Sequence, residues 1–405
     1  MREMAGMGMH LLDGAMVLVS ILLLIPACVL ALQVLAASRR SQAPESEAST
    51  VRPRVAVLMP AHNESAGIVS ALNSVRSQLR AGDRLLVVAD NCSDDTASVA
   101  AAAGAEVVER HDDTRRGKGY ALDFGVRHLD ADPPDIGIIV DADCSVAPGA
   151  IDRLAHQCAR TGRTAQALYL MHSPEGAGLK TRLAELAWIV KNQVRPLGSL
   201  SLGLPCQLMG TGMAFPWASL RTAPLATGHI VEDVKLGLDL ASVGAAPMFC
   251  PQALVTSQFP SQADGLVAQR TRWEHGHLGM ILSHGPTLLW RAVVERRWSL
   301  VAMVVDLCVP PLASLVLAMI AWLGLSAVYW AAGGAALPLV IAGAALILLT
   351  LSILLAWSGF GRHVLSLGEL LAAPGYVLSK LPVYLRFWRK RQVEWVRTER
   401  DDKPR

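Results

Sequence analysis

The sequence predicts an α/β fold: a mostly parallel sheet in a cytoplasmic domain, three transmembrane helices, and C-terminal interfacial helices. Two observations carry this. Between residues 54 and 143, short apolar runs stopped by a breaker or an acid alternate with helix-spaced segments. Continuous apolar strands of that kind belong to a parallel sheet covered on both faces. Residues 14–38 and 307–361 contain no Asp, Glu, Lys or Arg. A crossing needs roughly 20 apolar residues. The first stretch fits one crossing, and the second, 55 residues long, fits two, with Gly333-Gly334 at the turn.

The basic residues give an orientation. Arg39-Arg40 follow the first stretch, Arg291, Arg296 and Arg297 precede the second, and Arg362 ends it. Positive charge stays inside, so the N-terminus is expected outside and residues 41–300 in the cytoplasm, with the tail returned there. That is a multi-pass protein of the inner or plasma membrane. A cleaved signal peptide is the competing reading, with Arg2 ahead and Val34–Ser38 as a loose cleavage site, but the apolar run exceeds the usual ~7–15 residue core. Pro310-Pro311 should kink the second crossing or mark its interfacial approach.

The net charge of +3 hides an asymmetry: residues 361–405 hold ten basic and five acidic side chains, a net of +5, which leaves the remainder at −2. A basic, aromatic-flanked tail beside a membrane reads as a contact with anionic lipids; flanking spans argue against nucleic acid. The seven cysteines show no paired metal spacing and read as reduced structural thiols. The expected divisions are residues 1–50 (first span and linker), 51–298 (catalytic domain), 299–360 (span pair) and 361–405 (interfacial tail).

In chain order, residues 41–53 form a polar linker. Residues 55–60 read as a buried strand ending at Pro60, 66–80 as a helix with Ile68, Leu72, Val75 and Leu79 on one face, and 85–90 as a second strand. An Ala-rich helix over 94–104, a strand at 106–108, a helix over 119–129 and a strand over 136–140 follow. Pro60, Asp90 and Asp141 stand at strand C-terminal ends, where such sheets bind ligands. After Asp143 the alternation fades. Residues 179–194 suggest an amphipathic helix, packed on the domain or resting on the membrane. Residues 366–396, around Pro374-Gly375 and Pro382, suggest interfacial helices.

Asp141-Ala142-Asp143 closes five apolar residues and so places two carboxylates where a divalent cation can bridge them to a diphosphate. Mg²⁺ or Mn²⁺ takes such hard oxygen ligands, although an isolated Asp-x-Asp is more often a turn. Asp90 begins Asp90-Asn91-Cys92-Ser93-Asp94, which offers both a base or ribose contact and a helix cap. Lys118 lies in Arg115-Arg116-Gly117-Lys118-Gly119, a cationic, glycine-bearing lead into a helix suited to phosphate but without the spacing of an ATP-binding P-loop. Glu232-Asp233 offers a base for an acceptor hydroxyl; an ordinary helix start is the alternative. Gln269-Arg270-Thr271-Arg272-Trp273 supplies forked donors for a departing diphosphate and a flat face for sugar or lipid, or a basic-aromatic interfacial patch. His275-Gly276-His277 lacks a third neighbouring ligand and is not read as a metal site.

Taken in order, Val57–Glu64, Asp90, Asp141/Asp143, Val231-Glu232-Asp233 and Gln269-Arg270-Thr271-Arg272-Trp273 resemble the membrane-bound family 2 glycosyltransferases, the group of cellulose, chitin and hyaluronan synthases and bacterial exopolysaccharide transferases. The resemblance covers roughly residues 54–300. It implies a Rossmann-like GT-A fold and inverting transfer from a nucleotide sugar, typically a UDP-sugar. It implies that Pro60, Ala61, Glu64, Asp90 and Lys118 line the nucleotide, and that Asp141 helps hold the donor. Asp143 would ligate Mg²⁺ or Mn²⁺, Asp233 would be the base, and Gln269, Arg272 and Trp273 would hold the diphosphate and acceptor end. Val231 departs from the family's usual threonine. The expected partners are the nucleotide-sugar donor, a saccharide or lipid-linked acceptor, membrane lipids and other polysaccharide-assembly proteins. Three spans favour a lipid-linked acceptor, whereas the pentapeptide is associated with processive synthases; a catalytically inactive scaffold is the reading from another class.

Overall fold

The computed structural model describes residues 2–39, 51–260 and 263–389. Most of the 41–53 linker and the tail beyond 389 lie outside the described residues. Eight strands form one sheet: β1 (Val55–Ala61), β2 (Arg84–Asp90), β3 (Glu106–Arg110), β4 (Ile136–Ile139), β5 (Ser145–Val146), β6 (Ala165–His172), β7 (Met213–Pro216) and β8 (Met248–Gln258). Their spatial order is β3-β2-β1-β4-β7-β6-β8-β5. β1 runs parallel to β2 and β4, β2 to β3, and β6 to β8; β7 is antiparallel to β4 and β6, and β5 to β8. The order reverses between β1 and β4, so a crevice opens beyond their C-terminal ends.

Successive strand residues point to opposite faces, and both faces of β1 are covered. Val55, Val57 and Met59 pack with Ile68, Leu72 and Leu154 on one side. Ala56 and Leu58 pack with Leu122, Phe215 and Leu236 on the other. Gly125 lets the Lys118–Leu129 helix approach closely, because a Cβ there would stand 2.4 Å from Leu58 Cδ1. That approach fixes Lys118, the first residue of the helix, at the crevice.

Three helices are long and apolar enough to cross a membrane: Met9–Ser38, Leu312–Ala331 and Leu337–Gly361. The first packs along the third through Leu30, Val34, Ala345 and Leu349. Polar contacts mark its two ends. Asp13 accepts from Tyr329 Oη (2.7 Å) and Ala335 N (3.1 Å), beside the Gly333-Gly334 turn. At the other end Gln33 Nε2 donates to Asp306 Oδ1 (2.7 Å) and Ser199 Oγ (3.2 Å). Pro310-Pro311 separates the short Trp298–Leu307 helix from the second candidate span, with Pro311 as its N-cap.

The 179–194 segment packs inward. Leu179–Ile189 is followed by a π-type turn, Val190–Val194, and a helix, Arg195–Ser201. Leu183 and Leu186 meet Leu365 and Leu370, and Ile189, Val190 and Val194 join the span cluster. Short helices Leu367–Leu371, Ala373–Ser379 and Leu381–Arg389 follow the third span; the rest of the expected interfacial tail lies outside the described residues.

Candidate active site

The tips of β1 and β2 are tied together. Asn63 and Asn91, just past the two strands, adopt left-handed backbone (φ 53° and 52°), a conformation that Asn tolerates better than most residues and that recurs at functional loops. Asn63 exchanges side-chain hydrogen bonds with Ser93: Nδ2 donates to Oγ (2.9 Å), and Ser93 N donates to Oδ1 (2.7 Å). His62 Nδ1 lies 2.7 Å from the Asp90 carbonyl. Pro60 and Ala61 end β1 beside this link, and Glu64 N donates to Thr96 Oγ1 (2.8 Å). Asp90 is buried, and its Oδ1 accepts from Arg110 Nη1 (2.6 Å) and Asn91 Nδ2 (3.1 Å). Arg110, on β3, also donates to the Arg115 carbonyl (2.7 Å). It therefore fixes the loop that delivers Lys118.

Lys118 is the hub of the acidic residues. Its Nζ forms an ion pair with Asp141 and donates to the Gly210 carbonyl (2.7 Å). Burial opposes its charge, yet Asp141, Glu232 and Asp233 together raise its pKa, so it stays a cation. Gly210 is the contact point: a Cβ there would lie 3.5 Å from Asp233 Oδ2 and 3.7 Å from Lys118 Nζ. Thr211 Oγ1 accepts from Asp141 N (3.0 Å) and holds the β4 tip in place. Asp141, Asp143 and Cys144 bring one potential ligand atom each within 4.8 Å of one another. Burial, with Asp143 and Asp141 nearby, pushes the Cys144 thiol well above its ordinary pKa, leaving oxygen donors. Lys118 already neutralises Asp141, so Asp143 is the carboxylate better suited to a hard divalent cation.

Glu232 and Asp233 open the Glu232–Ser242 helix. Burial, and then the charge of Asp233, push Glu232 up to about 7, against the pull of Lys118. Glu232 therefore holds its proton more tightly than an ordinary glutamate does. The Ala263–Val294 helix carries the pentapeptide and crosses close to this pair, since a Cβ on Gly276 would stand 2.7 Å from Val231 Cγ1. Trp273 packs on Trp188 (ring centroids 5.0 Å apart, 40° between planes). Lys191 Nζ lies 5.3 Å above the Trp188 ring. Arg272 is half-buried one position before Trp273.

Other residues of this helix have surroundings of their own. Gln269 is buried, and its Oε1 has no hydrogen-bond partner among the described residues. Arg270 lies 5.4 Å from the Phe259 ring and donates to Tyr376 Oη (3.2 Å). Lys380 Nζ donates to Glu274 Oε1 (2.8 Å), so the C-terminal helices clasp the pentapeptide turn. His275 and His277 bond the carbonyls of Val383 (3.0 Å) and Leu307 (2.9 Å); they hold helices together.

Lys118, Asp141, Asp143, Glu232 and Asp233 thus converge, Pro60, Ala61, Glu64 and Asp90 form the neighbouring strand tips, and Arg272 and Trp273 approach on the pentapeptide helix. Sequence reasoning missed Arg110, Trp188, Lys191 and the Gly210-Thr211-Gly212 turn. The turn had a signal, two glycines around a threonine ahead of a strand; Gly210 and Gly212 have φ of +89° and +64°. The tryptophan and lysine had none, because their positions matter only after the helix packs.

A family model described as glycosyltransferase-like family 2 matches residues 53–276. Uncharacterized glycosyltransferases of Mycobacterium tuberculosis and Mycobacterium bovis are 41% identical over 100 residues, 25% of this chain and 41% of theirs. The probable glycosyltransferase YdaM of Bacillus subtilis is 24% identical over 256 residues, 57% of this chain and 56% of its own length. The chain therefore spans about half the length, or less, of these relatives. Among solved structures, the mannosyltransferase PcManGT of Pyrobaculum calidifontis, in complex with GDP-Man and Mn²⁺, matches over 93% of this chain and 99% of its own, with 18% identity and a TM-score of 0.56. That likeness extends to fold, the GT-A arrangement of a mixed, mostly parallel sheet. With more than half of its residues matched by the family model, the chain belongs to the family 2-like glycosyltransferases.

Proposed function

We propose that this protein moves a sugar from a nucleotide sugar, a UDP-sugar, to a lipid-linked or growing saccharide on the cytoplasmic side of the inner or plasma membrane, in cell-surface polysaccharide synthesis. The observation that carries the reading is the space at Gly210, which Lys118 Nζ and Asp233 Oδ2 both border, with Asp141 and Asp143 on the adjoining strand tip.

In this reading Asp143 holds Mg²⁺ or Mn²⁺, and Lys118 and Asp141 set the donor beside it. The metal, when bound, neutralises charge on the departing diphosphate. Pro60, Ala61, Glu64 and Asp90 line the nucleotide. Asp233 accepts the proton of the acceptor hydroxyl as its oxygen attacks the anomeric carbon from the face opposite the diphosphate, so one displacement inverts the centre. Burial and the neighbouring Asp233 make Glu232 a weaker acid than usual, so it carries less negative charge beside the base than an ordinary glutamate would. Gln269, Arg272 and Trp273 guard the diphosphate and acceptor end. Three candidate spans among the described residues favour a lipid-linked acceptor over a wide polymer channel.

The test is a panel of radiolabelled UDP- and GDP-sugars offered to native membranes containing the protein, with Mn²⁺. One UDP-sugar should label a lipid-extractable product whose new linkage has the anomeric configuration opposite to the donor. Retained configuration would overturn the single-displacement reading, and no label from any nucleotide sugar would overturn the transferase reading.

A further inference from the structure

We propose that Lys191 receives a phosphate group carried by the acceptor, and that Trp188 and Trp273 wall the passage by which the acceptor reaches Asp233. The inference rests on Asp233 being the base. Lys191 lines a recess with Asn192, Arg195, Gln207, Val234 and His277. Val234 directly follows Asp233, and the Asp233 carboxylate is near enough to act on the Lys191 charge.

The other basic side chains in this recess are committed. Arg195 Nη2 donates to Asp306 Oδ1 and to its carbonyl, both at 2.7 Å. His277 bonds the Leu307 carbonyl, and burial followed by the nearby Lys191 charge lowers it to about 4, so it is neutral at pH 7. Lys191 has no ion pair with a carboxylate among the described residues; its ammonium lies over the Trp188 ring. The surrounding protein lowers its pKa despite Asp233. Lys191 is exposed where it borders the recess, so its ammonium is open to an incoming anion.

The position fits a membrane-borne anion. Asp306 and Leu307 line the recess a few residues before the Leu312–Ala331 span, and Arg195 Nε donates to Gln33 Oε1 (3.2 Å) on the first span. The recess thus lies where the chain leaves the apolar layer. Lys191 sits on the π-type turn, a local insertion that recurs at functional sites. An acceptor with a prenyl-type tail and a phosphate head matches this level; a water-soluble phosphate ester shares the same head chemistry.

Binding of geranylgeranyl phosphate, geranylgeraniol and inorganic phosphate to the full chain in phosphatidylcholine nanodiscs, by isothermal titration, separates the sources. Wild type should bind the prenyl phosphate at least ~10-fold tighter than the alcohol, the scale of one charge-assisted hydrogen bond. Lys191→Met should erase that preference, and Lys191→Arg should keep it. Lys191-dependent binding of inorganic phosphate at equal strength would support the site and assign it to a soluble acceptor. Equal affinity for phosphate and alcohol, an unchanged preference in Lys191→Met, or displacement of the phosphate by UDP with Mn²⁺ would overturn the proposal. UDP–Mn²⁺ binding, measured in the same nanodiscs, reports separately on the donor site. If wild type fails to bind it, the transferase reading falls whatever the prenyl phosphate does.

Discussion

Two neighbouring carboxylates beside one half-buried lysine make pH a direct probe of the site. Glu232 titrates at its ordinary 4.5 in the unfolded chain and at about 7 in the fold, because burial and Asp233 disfavour its charge. The fold binds this proton more tightly than the unfolded chain does. Stability is therefore free of this penalty below pH 4.5, falls as pH rises from 4.5 to 7, and carries the full penalty above 7. Glu232→Gln removes the titration. Its Tm should fall less than that of wild type across this window and should exceed the wild-type Tm at pH 8. Identical slopes in thermal melts across the window would contradict the environment assigned to Glu232. The individual residues were legible in the sequence to the extent that a strand end or a charge pattern announced them. Asp141, Asp143 and Lys118 stood at strand or helix ends, where geometry limits what a side chain can reach. Arg110 lies just past the strand read at 106–108, and its bond to Asp90 depends on the β2–β3 pairing.

The element that joins catalysis to membrane is the segment from Leu179 to Ser201, bent by its π-type turn. Its last helix meets the first span at Gly198, where a Cβ would stand 2.1 Å from the Gln33 carbonyl oxygen, a backbone atom that cannot move aside cheaply. Small residues permit such close helix contacts in and near membranes. Gly198→Ala should destabilise the protein by about 1–3 kcal/mol, the usual scale of overpacking, and should lower the Tm in detergent. Gly14→Ala, with nothing within 4 Å of its Cβ, is the control. Equal Tm values for the two variants would contradict the packing. The sequence showed this segment's apolar periodicity but not its partner, since both a membrane surface and a folded domain cover an apolar face. β1, β2 and β4 were legible because each is an apolar run closed by a breaker or an acid, whereas β3 offered only Val107-Val108 between charged residues. β6, β7 and β8 were not, because antiparallel pairing and the register shift between Ala167 and Leu168 leave no simple repeat.

For the whole molecule, the first span, the third span and the Arg195–Asp306 network form one support under the crevice. The three spans were legible because a membrane helix needs only length and an absence of charge. The convergence of residues 118, 141 and 233 is a tertiary fact that only family resemblance anticipated, and the Gly210 turn that joins them was not anticipated at all. The central claim is that Asp233 takes the acceptor proton beside a donor held through Asp143 and Lys118. Its most direct test is Mn²⁺-dependent UDP release in membranes, using the nucleotide sugar that labels product, for wild type and Asp233→Asn at equal expression. Asp233→Asn should lose at least ~100-fold in release, the lower range of general-base contributions, while binding UDP with Mn²⁺ as wild type does. Release within a few-fold of wild type would contradict the account.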